Sequence, residues 1–132
     1  MPVVLPADFT DPRLAAIYDA MNAYQPGTQP AFYTRLADDL NARRIVDIGC
    51  GTGLITELLA TADRTVVGIE PSARLLAIAR KRDSNQHVTW VEGDTSVLGS
   101  HQFDLALMTG HVAQFFLTDE DWHQALRSIH GA

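Results

Sequence analysis

The chain carries a single cysteine, Cys50, in 132 residues, so it forms no internal disulfide and offers no thiolate cluster for zinc. It also lacks a basic surplus. Lys and Arg number 10 against 16 Asp and Glu, a formal net charge of −6, and binding to a phosphate backbone draws on a positive surface. A large nucleic-acid footprint is therefore disfavoured. No stretch approaches the roughly 18 uninterrupted apolar residues of a membrane span. Residues 1–10 have neither the basic start nor the apolar core of a secretory signal, which makes a soluble cytoplasmic protein the expectation. Repeats, low-complexity tracts and a second-domain linker are missing too. With 46% hydrophobic and 20% charged residues over this length, the composition predicts one globular domain with a modest core.

What is present is a nucleotide-site signal. Residues 45–53 read Ile-Val-Asp-Ile-Gly-Cys-Gly-Thr-Gly, a buried-strand pattern running into a glycine loop, and Leu54, Ile55, Leu58 and Leu59 follow at helical spacing. Gly49, Gly51 and Gly53 remove the side chains that would hold a ligand off the backbone. Dinucleotide loops use the related Gly-x-Gly-x-x-Gly, but Leu54 stands where that pattern puts its last glycine. Asp47 speaks the same way. A carboxylate about 4 Å from a phosphate repels it by roughly 4 kcal/mol at an effective dielectric near 20, whereas it attracts an ammonium or a sulfonium.

Residues 65–69 predict a second strand ending in Glu70, at a distance from the loop that suits acceptance of hydrogen bonds from two ribose hydroxyls. Pro71 and Ser72 then open a helix, with Ser72 as N-cap. A third strand over residues 88–91 leads into Glu92, Gly93, Asp94 and Thr95. A fourth over residues 103–108 leads into Thr109, Gly110 and His111. Asp94 suits an exocyclic amine such as the adenine N6, with Gly93 letting the base lie close; a turn or N-cap role is the alternative.

Three further helices are legible. Asp11 and Pro12 cap an amphipathic helix with Leu14, Ile17, Tyr18, Met21 and Tyr24 on its apolar face, stopped by Pro26 and Gly27. A second helix runs over residues 30–40. The last starts at Thr118, with Asp121 three residues on, and extends toward His130. Arg43 with Arg44, and the basic residues 80–82, read as solvated helix ends. His87, His101, His123 and His130 read as surface residues. Cys50 reads as a small packed residue, with a reactive thiol beside a cofactor as the alternative.

Taken in order, residues 46–53, 68–72, 92–94 and 103–111 resemble the successive motifs of class I S-adenosylmethionine-dependent methyltransferases. The resemblance implies an α/β, Rossmann-like three-layer sandwich with parallel strands in the order 3-2-1-4. It implies a single S-adenosylmethionine-binding domain, residues 1–41 forming a helical cover and residues 42–132 the core. By the same resemblance Asp47, Gly49, Cys50, Gly51 and Gly53 line the methionine end of the cofactor, and Glu70 with Pro71 holds the ribose. Gly93, Asp94 and Thr95 flank the adenine, and Thr109, Gly110 and His111 lie near the reactive methyl group. Tyr18 and Tyr24 are lid candidates, with simple packing onto the sheet as the alternative for each.

The implied reaction is in-line attack by a nucleophile, on a small molecule, at the methyl carbon of a sulfonium, with His111 as general base where the acceptor is an oxygen or an unactivated nitrogen. The family's sheet has seven strands and this sequence ends before the fifth. Strand four is then an exposed apolar edge, expected to pair with another copy or to be covered by the terminal helix. The rival readings are a fragment of an NAD(P)-binding Rossmann oxidoreductase and a non-catalytic cofactor-binding module.

Overall fold

Buried β-branched residues put β1 (Arg44–Ile48) inside a four-stranded parallel sheet in the computed structural model, which describes residues 5–21 and 29–132. The other strands are β2 (Thr65–Glu70), β3 (Val88–Glu92) and β4 (Leu105–Leu107), in the order β3-β2-β1-β4. That is the order the resemblance implies. Asp47 pairs with Gly68 of β2 and with Leu107 of β4, so its side chain rises from the middle of the sheet.

Alternation along the strands sends apolar side chains to both faces, and helices cover each. On one face Ile45, Val66, Val88 and Leu107 pack with Ile55 and Leu59 of α4 (Leu54–Leu59) and Ala37 of α3 (Gln29–Asp39). On the other, Val46, Ile48 and Ile69 pack with Leu98, Phe103, Ala106 and Ile129, the last from α6 (Asp119–Gly131). The remaining helices are α1 (Ala7–Thr10), α2 (Pro12–Met21) and α5 (Ala73–Arg82). Ser72 caps α5 by accepting from the Leu75 N–H, and Thr118 caps α6 by accepting from the Asp121 N–H, both as the sequence predicts.

Four expectations need correction. The fourth strand is three residues long and not the six of residues 103–108. The Asp104 carboxylate accepts from the Arg43 and Arg44 N–H groups at 3.0 and 2.8 Å, and the Phe103 N–H donates to the Ala132 carbonyl at 2.9 Å. These bonds occupy the positions where a ladder would have begun, and α6 ends against them. The inward face of α2 differs in part from the expected one: Leu14 and Tyr18 are half-buried as expected, but Ile17 and Met21 are exposed, while Ala15 is buried and Asp19 half-buried. Arg43 and Arg44 lead into β1 and pair with Asp63 and Asp104, so they are not helix ends. Arg82 does end a helix but is only partly solvated, its guanidinium pairing with Asp19. Tyr24, Pro26 and Gly27 lie outside the described residues.

Candidate functional site

The loop after β1 turns because Gly49, Gly51 and Gly53 all take positive φ, +71°, +59° and +80°, a region that side chains with a Cβ avoid. Two backbone donors tie it to the neighbouring strand: the N–H groups of Gly49 and Cys50 both donate to the Ile69 carbonyl, at 2.8 and 3.0 Å. Glu70, at the end of β2, reaches back to it. One carboxylate oxygen accepts from the Gly51 N–H and the other from the Ser72 N–H, each at 2.9 Å. Glu70 thus clamps the glycine loop to the start of α5, using the donors that a loop and a helix N-terminus leave free.

Beneath the loop lies Asp47, only 1% exposed. One of its oxygens accepts from the Thr56 hydroxyl at 2.7 Å; the other is buried with no hydrogen-bond partner among the described residues. Burial pushes the Asp47 carboxyl up to about 7, with the Thr56 hydroxyl opposing and the Glu70 charge adding to the rise. Burial raises the Glu70 carboxyl too, against the two backbone donors that favour its charged form. The Cys50 thiol is driven well above its ordinary value by burial, then by Asp47 and Glu70. A thiol held protonated agrees with the packed-residue reading and disfavours the reactive one.

Two segments cover the loop. From α2, the Tyr18 ring stands over Gly51: a Cβ there would lie 3.9 Å from its edge. From the 3₁₀ turn Val112–Phe115 after β4, Val112 packs on Gly49 so closely that a Cβ would come within 2.4 Å of a methyl. Phe9 joins the two covers, its ring 5.6 Å from that of Tyr18 and 5.4 Å from that of Phe115. The Phe9 carbonyl accepts from the Ser72 hydroxyl, which brings α1 onto the start of α5.

The loop is also held from the far end of α5. Asp19 of α2 accepts from the Thr52 hydroxyl and from the Arg82 guanidinium, and Arg82 Nε donates to the Thr52 carbonyl at 3.2 Å. Next door, Asp83 accepts from the N–H groups of His87 and Val88 and from the Trp90 indole at 3.1 Å. The Trp90 ring then lies against Gly53 and Gly68; a Cβ at Gly53 would come within 2.4 Å of it. Sequence reading missed Asp19, Arg82, Asp83 and Trp90. Only Trp90 left a signal, since the strand register pairs that large residue with the glycine of β2.

The remaining expected residues lie at neighbouring strand ends. Glu92 is opposite Glu70 in register, and Asp94 caps the 3₁₀ turn Thr95–Val97 by accepting from the Ser96 N–H at 2.8 Å. The capping role that the sequence left as an alternative is therefore present. Thr95 is buried, and Pro71, Gly93 and Thr109 are half-buried. Gly110 and His111 are exposed, and His111 Nδ1 lies 3.4 Å from the Gln114 amide nitrogen. His87, His101, His123 and His130 are exposed as expected.

Residues 45–132 match the family described as "Methyltransferase domain". The ubiquinone/menaquinone biosynthesis C-methyltransferase UbiE of Rubrivivax gelatinosus is 35% identical over 89 residues, covering 64% of this chain and 35% of that protein. SAM-bound CalS10, an amino pentose methyltransferase from Micromonospora echinaspora, is 25% identical with a TM-score of 0.73, covering 86% of this chain and 50% of that one. A TehB-like SAM-dependent methyltransferase from Corynebacterium glutamicum is 28% identical with a TM-score of 0.73, covering 92% and 68%. This chain spans less than half the length of the curated relatives it matches.

Proposed function

We propose, from the premise that this chain belongs to the methyltransferase domain family, that it binds S-adenosylmethionine and serves methyl transfer to a small-molecule nucleophile. The observation that carries this reading is the buried carboxylate oxygen of Asp47, without a partner among the described residues, under a loop of positive-φ glycines. An ammonium group supplies the donors that this oxygen lacks. A pyrophosphate brings only further negative charge, which counts against the NAD(P) reading. The amino pentose methyltransferase and its SAM-bound form support the choice of cofactor and of a small acceptor.

In this proposal Asp47 balances the charge of the cofactor's amino group, while Gly49, Cys50, Gly51 and Gly53 allow backbone contact with its methionine end. Glu70, with Pro71 beside it, accepts from the ribose hydroxyls, and Gly93, Asp94 and Thr95 flank the adenine. Tyr18, over Gly51, excludes water from above. Thr109, Gly110 and His111 border the reacting methyl. The bound cofactor supplies a methyl group already activated by its sulfonium, so alignment and exclusion of water account for most of the protein's contribution.

His111 is assigned the general-base role for an acceptor that must lose a proton. His111→Ala is expected to lower turnover by about tenfold or more with cofactor affinity unchanged. A large affinity loss at normal turnover would instead make it a binding residue. The whole assignment is tested by thermal unfolding with each ligand. S-adenosylhomocysteine at about 100 times its Kd should stabilise the fold by roughly 2.7 kcal/mol, and NAD should not.

Two coarser features accompany the proposal. No helix among the described residues is long and apolar enough to cross a membrane, and the reading takes the setting to be cytoplasmic, where the lone thiol stays reduced. The net charge of −6 supports a small acceptor over a nucleic acid. β4 pairs only with β1 among the described residues, and its other edge is proposed to accept a second copy. Light scattering that finds a monomer at high concentration would oppose that pairing.

A further inference from the structure

The glycine loop has one hydroxyl, Thr52, and the fold spends it on the cover. Asp19 from α2 accepts from that hydroxyl and from Arg82, while Arg82 donates to the Thr52 carbonyl at 3.2 Å, closing a ring of three residues from three separate elements. Thr52 is buried, and Asp19 and Arg82 are each about one-third exposed at their side chains, so water competes only in part for these bonds. The charge-assisted members of such a ring are the strong ones. Its position matters because Thr52 lies between Gly51, which donates to Glu70, and Gly53, which rests on Trp90. The ring therefore joins the cover to the same few backbone atoms that Glu70 and Trp90 hold from below.

The inward face of α2 follows from this. Apolar spacing would bury Ile17 and Met21 along with Tyr18, yet Ile17 and Met21 are exposed, and the helix turns Tyr18 to Gly51 and Asp19 to Thr52. One helix turn thus carries both the ring that roofs the loop and the carboxylate that fastens it. The opposing cover, Val112 on Gly49, is linked to α2 through the Phe9 ring, which meets both Tyr18 and Phe115.

We infer that Asp19, Thr52 and Arg82 form a latch: they are positioning residues that fasten the α2 cover to the glycine loop and so set how long the cofactor stays bound. This rests on the cofactor reading above but goes beyond it, because none of the three touches the reacting atoms. Breaking the latch frees the cover to open without altering the groups assigned to grip the ligand. Dissociation then accelerates while association changes little, and motion in α2 spreads to the loop because the two share the ring.

The test is stopped-flow displacement of S-adenosylhomocysteine from the whole chain, with hydrogen exchange of the free protein measured alongside. Asp19→Ala and Thr52→Val should each speed dissociation on the order of tenfold, with association rates held within about twofold. Asp19→Glu, which keeps the charge, should restore much of the slow rate. The double variant should be no faster than the worse single one, since either change opens the same ring. In Asp19→Ala, exchange should rise together in residues 12–21 and 49–53 and stay unchanged in β3. A purely structural role would raise exchange throughout and would not speed release selectively over association. Dissociation rates within twofold of the parent in both single variants would overturn the latch while leaving the cofactor reading intact. Failure of the parent itself to bind S-adenosylhomocysteine would overturn both.

Discussion

Asp47→Asn is expected to unfold less readily than the parent at pH 8 and to bind S-adenosylhomocysteine far more weakly. Asp47 ionises near pH 7 in the fold because it is buried, against an ordinary value of 3.8 in the unfolded chain. Between those values the folded state holds a proton that the unfolded state has released, so stability falls as pH rises and the loss is complete above pH 7. Roughly three pH units at 1.36 kcal/mol each bound the cost at about 4 kcal/mol. An asparagine keeps the shape and an acceptor for the Thr56 hydroxyl without the charge. It should therefore recover about 2–4 kcal/mol at pH 8, narrowing to little near pH 4. Melting curves of both proteins across that range check the sign.

Ligand binding should run the other way. If Asp47 pairs with an ammonium, it must be ionised to do so, and parent affinity should rise about tenfold per pH unit up to pH 7 and then level off. The asparagine variant should show no such rise. A variant that is destabilised at pH 8, or a parent whose affinity is flat below pH 7, would remove Asp47 from this role.

Glu70→Ala is expected to cost both stability and affinity. In the fold its two oxygens satisfy the N–H groups of Gly51 and Ser72, one in the loop and one at the start of α5. Removing them leaves both donors unpaired in a site where Glu70 itself is 5% exposed. Each such donor costs about 1–3 kcal/mol, offset in part by relief of the buried charge, so a net loss of about 2–3 kcal/mol is expected. Cofactor binding loses the ribose contacts and the ordered loop together, a fall of about a hundredfold or more. Glu70→Gln separates the two effects, because the amide retains one acceptor and turns an N–H toward the other donor. It should fall between parent and alanine in both measurements. Normal melting with weak binding would confine Glu70 to the ligand; weak melting with normal binding would confine it to the clamp.

The parts of this site that were legible in the sequence share one property: their partners are near in the chain or are dictated by strand ends. The run from Ile45 to Gly53 predicts strand, turn and helix because β-branched residues, glycines and helical spacing follow one another directly. Glu70 is legible because Pro71 and Ser72, directly after it, end the strand and open a helix. Thr118 and Asp121 are legible as a cap for the same local reason. Asp19 and Arg82 were not, because 63 residues separate them and each alone is an ordinary surface charge. The facing of α2 was misjudged since hydrophobic spacing ranks Ile17 and Met21 above Asp19, while the ring with Thr52 and Arg82 settles the helix the other way. The length of β4 escaped prediction because the partners at its start are distant in sequence: the Asp104 carboxylate takes up the Arg43 and Arg44 N–H groups that lead into β1, and the Ala132 carbonyl takes up the Phe103 N–H.

The central claim is that the loop over Asp47 receives an amine-bearing nucleoside and not a dinucleotide phosphate. Isothermal titration of the whole chain at pH 8 with S-adenosylhomocysteine and, separately, with NAD tests it most directly. Saturable one-to-one binding of S-adenosylhomocysteine and no binding heat with NAD are the expected result. Binding of NAD without S-adenosylhomocysteine, or of neither, would contradict it.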